Sequence, residues 1–214
     1  MLAEAPGAIS DTVKILSDDS VNPVSDVLVA GAGFVINTVQ PGVLYASSGA
    51  NDGGRILSVN TNTAAASGIG ASGYTQILNV RVRPTNDELI GVATNLSGPA
   101  GAYDIVRINA QGGDAHPVSN MVVSLVKGMA FRGDTLYVAR INGAIYRVNM
   151  ATGAATLVAS TGMQISGMDF HPVTGKLWFS VRGGANLDAI YKMNFPSGPP
   201  TLVGTTGFGV QTVD

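Results

Sequence analysis

Short runs of alternating apolar and polar residues fill the segment 128–160, and turn residues separate these runs. Residues 135–139 are β-branched and aromatic, which is typical of a half-buried strand. Asn142-Gly143 predicts a two-residue hairpin, because both central positions of such a turn need a positive φ. Thr152-Gly153 marks another turn before a last apolar run. The pattern therefore predicts four antiparallel strands in a row, joined by tight turns.

The same order of strands recurs in three other parts of the chain. Its clearest marker is an apolar strand that ends in asparagine, at Asn60, Asn109, Asn149 and Asn194, with spacings of 49, 40 and 45 residues. Repeats of this length, whose units cannot bury both flat faces alone, are typical of β-propeller blades. We predict an all-β protein, a β-propeller of about four four-stranded antiparallel blades. The blades cover approximately residues 33–70, 76–120, 126–160 and 165–204, within a repeat region of 27–214 and after an N-terminal extension of 1–26.

Matching strands lie at both ends of the repeat region. Residues 27–39 align without gaps on residues 201–213, so each end carries an outer strand and then an inner strand, and 208–213 is a spare inner strand. A closed ring of four blades needs one such pair. If the ends add strands to a neighbouring molecule, the residues that mediate assembly are Val27, Leu28, Val29, Phe34, Phe208, Val210 and Val213.

The redundant pair of terminal strands is also compatible with three other arrangements. In the first, two chains combine their blades into one larger ring, so that strands from another chain finish the propeller. In the second, the sequence is a piece of a longer propeller. In the third, one terminal strand packs irregularly or frays.

Composition narrows the classes of partner. The net charge is −2, only 12% of residues are charged and no basic tract occurs, so we do not expect nucleic acid as a partner. No apolar run is long enough for a membrane span. The absence of cysteine excludes disulfides and thiolate chemistry. A chain rich in Gly, Ala, Ser, Thr and Asn indicates an extracellular or cell-surface protein, although no signal peptide is visible.

Candidate chemistry lies on the predicted inner strands, which surround the central channel of a propeller. Their superposition gives two columns, Thr38, Arg81, Ala130, Asp169 and Gln40, Arg83, Arg132, His171. Arg81, Arg83 and Arg132 are candidate ligands for a small anion or a sugar acid. Asp169 and His171 are the candidate catalytic residues, either of them as a general base. The alternative is that Arg81 and Asp169 pair between blades while the other residues face solvent.

The aromatic residues and the histidines are candidates for two further kinds of site. Aromatic side chains recur at equivalent repeat positions, where they either form a platform for a carbohydrate or pack between blades without any ligand. The chain has two histidines, and they do not lie at metal-ligand spacing. We therefore predict no metal and no cofactor.

Residues 170–178, FHPVTGKLW, resemble the phrase of inner strand, proline, turn, glycine, leucine and aromatic found in bacterial exported propellers. Residues 145–153, IYRVNMATG, are similar to the strand, asparagine and Thr-Gly turn that follow it in that group, which includes WD-like, NHL-like and quinoprotein-like repeats. The resemblance implies an up-and-down propeller with any ligand at one face. Quinoprotein dehydrogenases add tryptophan docking motifs and calcium ligands, and gluconolactonase-like propellers add acidic and asparagine metal ligands, whereas this chain offers Trp178 and Asp169.

The sequence thus predicts a non-catalytic extracellular module, either a binding scaffold or a self-assembling surface or fibre subunit that exchanges its terminal strands with itself or another protein. The alternative is a lactonase-like or lyase-like enzyme with its site at the mouth of the central channel.

Overall fold

The computed structural model describes residues 8–16, 24–32, 35–49, 52–94, 102–183 and 188–207, with side chains from residue 35 onward. These residues form seventeen strands: β1 Ala8–Leu16, β2 Val24–Ala32, β3 Leu44–Ser47, β4 Arg55–Val59, β5 Ala66–Ala71, β6 Ile77–Arg83, β7 Glu88–Thr94, β8 Tyr103–Ile108, β9 Ala115–Met121, β10 Val126–Arg132, β11 Thr135–Arg140, β12 Ala144–Val148, β13 Ala155–Ser160, β14 Ile165–Phe170, β15 Leu177–Val181, β16 Ala189–Met193 and β17 Thr201–Thr205.

The chain divides into two units, Met1–Ile36 and Asn37–Asp214. In the first unit, β1 and β2 form an antiparallel hairpin whose register places Val13 opposite Val27. The sequence alignment assigned the segment from Val27 to the outer edge of a blade and ended the extension at residue 26. The structure differs because β2 has an antiparallel partner of its own length in β1, each strand having nine residues.

The second unit contains four antiparallel sheets arranged as a four-blade β-propeller, and the predicted fold class is confirmed. Blade 1 is β3–β5, blade 2 is β6–β9, blade 3 is β10–β13 and blade 4 is β14–β17. Strand order within each sheet follows the chain, so each blade is an antiparallel meander. The innermost strands of blades 2, 3 and 4 are β6, β10 and β14, and they pack against one another in that order.

Blade 1 has three described strands, because residues 35–40 are not in a strand, although the alignment predicted an inner strand there. The Ala110 amide donates to the Asn37 carbonyl at 3.0 Å, and the Val39 amide donates to the Asp87 carbonyl at 2.9 Å. Both partners lie in hairpin connections of blade 2. The backbone of this segment therefore bonds to blade 2 and forms no strand ladder with β3, although the Gln40 amide donates to the Tyr45 hydroxyl of β3 at 3.1 Å. Thr38 consequently does not join the column of Arg81. The predicted spare inner strand 208–213 lies outside the described residues.

Three of the four repeated asparagines begin equivalent turns. The Oδ1 atoms of Asn60, Asn109 and Asn149 each accept the backbone N–H groups two and three residues further on, at 2.9–3.3 Å. This local bonding is the reason that asparagine favours such turns. The marker that revealed the repeat is therefore the residue that starts the connection between the third and fourth strands of a blade.

Alternation along the strands sends neighbouring residues to opposite faces of each blade. Leu89 of blade 2 packs with Ile56 of blade 1, whereas the adjacent Ile90 packs with Leu136 of blade 3. Ile145 of blade 3 packs in turn with Leu177 and the rest of the apolar face of blade 4. Among the described residues, three buried clusters thus join the four blades in chain order.

Candidate functional site

A cavity of about 740 Å³ opens where β6, β10 and β14 end, and we call it the mouth cavity. Its wall includes Arg81, Arg132, Asp169 and His171, together with the rings of Phe131 and Phe170. Four of the five polar residues singled out from the inner-strand columns therefore share one cavity. They come from blades 2, 3 and 4, so only the blade arrangement brings them together.

Arg81 is held across the cavity. Its Nη1 donates to the Val80 carbonyl at 2.9 Å, and its Nη2 donates to the Met168 carbonyl of β14 at 3.3 Å. Its Nε is buried and has no hydrogen-bond partner among the described residues. The guanidinium therefore links blade 2 to blade 4 through carbonyl groups and not through an ion pair with Asp169. Asp169 is exposed, and its Oδ1 accepts the backbone N–H of Phe170 at 2.7 Å.

Arg132 is the accessible cation of the mouth cavity. Its guanidinium lies 5.8 Å from the centre of the Phe170 ring, a distance at which a cation is attracted to the face of an aromatic ring. Within the described part of the chain its donors have no hydrogen-bond acceptor. Arg132 can therefore offer several N–H groups to a ligand without first breaking a hydrogen bond to the protein.

His171 accepts backbone N–H groups in the turn between β14 and β15, as Asn60, Asn109 and Asn149 do in the turns between the third and fourth strands. Its Nδ1 accepts the backbone N–H groups of Val173 and Thr174, both at 3.2 Å. A ring nitrogen that accepts hydrogen bonds carries no proton, so the neutral imidazole carries its proton on Nε2. The remaining nitrogen of neutral His171 is then a donor, which suits an anion better than it suits removal of a proton.

Arg83 lies elsewhere, although the columns grouped it with the other two arginines. Its Nε and Nη2 each donate to a carboxylate oxygen of Asp134 at 2.5 Å, and its Nη1 lies 3.4 Å from Glu88 Oε2. Hydrogen bonds from Arg83 and then from Thr85 lower the pKa of Asp134 to about 2. Arg83 lines a different cavity of about 620 Å³ with Arg107 and Asp134. Its guanidinium is thus engaged in joining blade 2 to the first turn of blade 3.

The sequence offered no signal for the hydrogen bonds between Arg83 and Asp134. Gly133-Asp134 is recognisable as a turn, but nothing in the chain indicates that this turn reaches the inner strand of the preceding blade. The network continues to Arg107, whose Nε lies 3.4 Å from Glu88 Oε1. Arg107 was not singled out from the sequence, because its strand was identified only by the asparagine that follows it.

Most of the recurring aromatic rings pack between blades, and Trp178 is an exception. Tyr137, Phe170 and Phe195 meet edge to face with ring centres 5.0–5.3 Å apart, and Phe179 stacks on Tyr191 at 5.8 Å. Phe179 and Tyr191 are 2% and 6% exposed, so they fill the junction between blades 3 and 4. Such pairs add to the stabilisation that burial of the rings provides.

A metal-binding cluster and a membrane-spanning helix are both absent from the described residues. No group of three or more histidine, aspartate or glutamate side chains there is placed to hold a metal ion. That part of the chain also contains no helix with the length and apolar character needed to cross a membrane.

Comparisons with known proteins identify the fold. No protein family matches the sequence, and no curated protein matches it. A chain of a nidogen/laminin complex superposes with a TM-score of 0.56 at 15% identity, over 78% of this chain and 63% of that one. A Bacteroides thetaiotaomicron protein of unknown function superposes with a TM-score of 0.53 at 15% identity, over 92% of this chain and 50% of that one. The chain thus spans about half to two thirds of the structures it resembles, and at this identity the likeness shows the β-propeller fold alone.

Proposed function

We propose that this protein is a non-catalytic binding module whose mouth cavity takes a small carboxylate-bearing ligand, such as a sugar acid. The observation that carries the proposal is the exposed guanidinium of Arg132, whose donors have no acceptor among the described residues and which shares the cavity with the fixed guanidinium of Arg81. Donors that are exposed and unoccupied can form charge-assisted hydrogen bonds with an anion, which are stronger than hydrogen bonds between neutral groups.

The charge and shape of the cavity support an anion. Two guanidinium groups, Arg81 and Arg132, face one carboxylate, Asp169, and neutral His171 adds a donor at Nε2. Arginine is well suited to a carboxylate because its planar fork can donate two parallel hydrogen bonds. Arg81 is already immobilised, so binding costs little side-chain entropy there.

The size of the cavity and its apolar wall favour a molecule larger than a simple ion. A volume of about 740 Å³ lies within the usual range for small-molecule sites. Phe131 and Phe170 provide the apolar contact, and Asp169 can accept hydrogen bonds from ligand hydroxyl groups. A monosaccharide with a carboxylate combines these features.

Calorimetric titration with glucuronate tests the proposal, with glucose as the neutral control ligand. We expect glucuronate to bind and glucose not to bind, and we expect Arg132→Gln to weaken binding at least about tenfold, because a charge-assisted hydrogen bond contributes about 1.5–3 kcal/mol. Arg55→Gln is the matched control, since Arg55 is an exposed arginine on blade 1. Equal affinity of Arg132→Gln and the unchanged protein would refute the proposed site.

A second candidate function is a lactonase-like or lyase-like enzyme that works at the same cavity. The observation in its favour is that the carboxylate of Asp169 and the imidazole of His171 line one cavity beside two arginines. Any hydrolase activity found in a lactone screen should disappear in Asp169→Asn and in His171→Asn. The second substitution retains an oxygen that can accept the amides of Val173 and Thr174, so it removes the imidazole without removing the turn contact. An unchanged rate in both variants would exclude these residues as catalytic groups.

We further propose that the module works outside the cell and associates through its terminal strands. Val27, Leu28 and Val29 lie on β2, whose backbone pairs with β1, and the other predicted assembly residues lie outside the described part of the chain. If the terminal strands mediate association, a chain truncated after Gly207 should have a lower mass in light scattering than the complete chain. Equal masses would count against strand exchange.

A further inference from the structure

Each blade presents a face that carries a leucine at the start of its second strand, and we call it the leucine face. In blades 2, 3 and 4 these residues are Leu89, Leu136 and Leu177, which lie opposite Ile108, Val148 and Met193 of the third strand. The three leucines are 0–1% exposed and the three partners are 0–4% exposed. In every case the preceding blade covers the face.

No blade among the described residues covers the leucine face of blade 1. Leu44 stands at the equivalent position, opposite Val59, and it is 51% exposed. The next pair on the same face, Ala46 and Leu57, is half-buried. Four apolar side chains on two adjacent strands thus form an uncharged sheet surface of the kind that a preceding blade covers in blades 2, 3 and 4.

The opposite face of blade 4 is the equivalent of the surfaces that cover leucine faces. In blade 2 this face pairs Ile90 with Arg107, in blade 3 it pairs Tyr137 with Arg147, and in blade 4 it pairs Trp178 with Lys192. Each pair is an apolar or aromatic residue of the second strand opposite a cation of the third. An isoleucine follows on the same face, Ile105, Ile145 and Ile190 in the three blades.

The isoleucine of this face in blade 4 is less covered than its equivalents. Ile105 and Ile145 are fully buried between blades, whereas Ile190 is half-buried. Lys192 lies over the Trp178 ring at 5.6 Å, and Trp178 Nε1 is a buried donor without a hydrogen-bond partner among the described residues. No buried cluster of the described residues joins this face to another blade.

We propose that the Trp178 face of blade 4 docks on the leucine face of blade 1 in a second copy of this chain. The three junctions inside the chain identify the occupant, because each of them packs the same two kinds of face at the same repeat positions. The second copy is therefore joined by a fourth junction of the type that already exists three times. Two copies related by a twofold axis form two such junctions at once, which closes the assembly.

Sedimentation velocity of the complete chain over a wide range of concentrations tests the proposal. We expect a two-chain species in the unchanged protein and single chains in Leu44→Asp and in Ile190→Asp, because a carboxylate cannot be buried in either face without a partner. Val122→Asp is the control, since Val122 is 91% exposed in the connection between blades 2 and 3 and should leave the two-chain species intact.

Mixing the two variants provides the sharper test. Leu44→Asp keeps an unchanged Trp178 face and Ile190→Asp keeps an unchanged leucine face, so together they can form one junction but not two. We expect the mixture to give a two-chain species that neither variant gives alone. Lys192→Glu replaces Ile190→Asp if circular dichroism shows that the latter does not fold.

Three results would overturn the proposal: single chains in the unchanged protein at every concentration, association of both variants as strong as that of the unchanged protein, or a mixture that remains as single chains. Loss of association on truncation after Gly207 but not in Leu44→Asp would assign it to the terminal strands instead. The outcome is independent of ligand binding, because neither docking face lines the mouth cavity, and the single-chain variants should bind glucuronate if the proposed function holds.

Discussion

The same leucine occurs in four blades with different coverage, and this gives a prediction whose size follows from the structure. Leu136 is 0% exposed, so Leu136→Ala removes three buried carbon atoms at about 0.8 kcal/mol each and leaves a cavity. We expect the free energy of unfolding to fall by about 3–4 kcal/mol, and by a similar amount for Leu89→Ala and Leu177→Ala. Leu44 is 51% exposed and solvent fills the space it leaves, so Leu44→Ala should cost only about 1 kcal/mol.

Urea unfolding measures these differences, followed by Trp178 fluorescence and by circular dichroism to check that both signals report one transition. The protein concentration must be low enough for sedimentation to show single chains, because docking of a second copy would cover Leu44. A Leu44→Ala cost equal to that of Leu136→Ala under these conditions would refute the reasoning. A Leu136→Ala cost below about 1 kcal/mol would refute it as well, since no well-packed leucine is removed so cheaply.

Three further predictions concern single residues. Ala64 adopts φ +57° at the turn position where blades 2 and 3 have glycine, so Ala64→Gly should raise the free energy of unfolding by about 1 kcal/mol in thermal melts. Gly153→Ala should lower the free energy of unfolding by more than that, because its new Cβ meets the Asn120 carbonyl. The lowered pKa of Asp134 means that its contribution to stability is complete above pH 3.8 and is lost as pH falls towards 2. Urea unfolding at several pH values should detect this loss in the unchanged protein and a smaller loss in Arg83→Gln, where only Thr85 still donates to Asp134. Burial, and next the charge of Asp104, raise the pKa of Tyr74 to about 12, so its tyrosinate absorbance should appear at lower pH in Asp104→Asn.

Much of the blade architecture was predictable because it is local. Alternating strands, Asn-Gly and Thr-Gly turns and the recurring asparagine all act within a few residues of one another. The Oδ1 contacts of Asn149 are an example, since they join residues two and three positions apart. A local pattern of this kind predicts the same strands and turns in every copy of the repeat, so it identifies the blade before any contact between blades is known.

The ends of the repeat region were not predictable in the same way. Residues 27–39 share the pattern of a blade's outer and inner strands, yet β2 pairs with β1 and residues 37–39 bond to blade 2. Sequence similarity between two segments shows that both can form strands, but it does not show which partner each strand will have. That choice depends on which free strand edge lies within reach.

The candidate site was also predictable only in part. Aligning the inner strands was sufficient to bring Arg81, Arg132, Asp169 and His171 to one cavity, because equivalent residues of a repeat occupy equivalent places. The alignment could not show that Arg83 lies apart from these residues, because Arg83 donates to Asp134 in a turn of the neighbouring blade. It also could not show that Nδ1 of His171 is occupied by two amides.

By itself, then, the sequence determined that this chain is a set of β-meanders of one design, because strand alternation and turn chemistry are properties of neighbouring residues. Only the tertiary structure decided which faces are covered. Leu44 and Leu136 carry the same side chain at the same repeat position, but one is 51% exposed and the other is 0% exposed. Burial depends on the blade that lies beside a residue, and the local sequence does not say which blade that is.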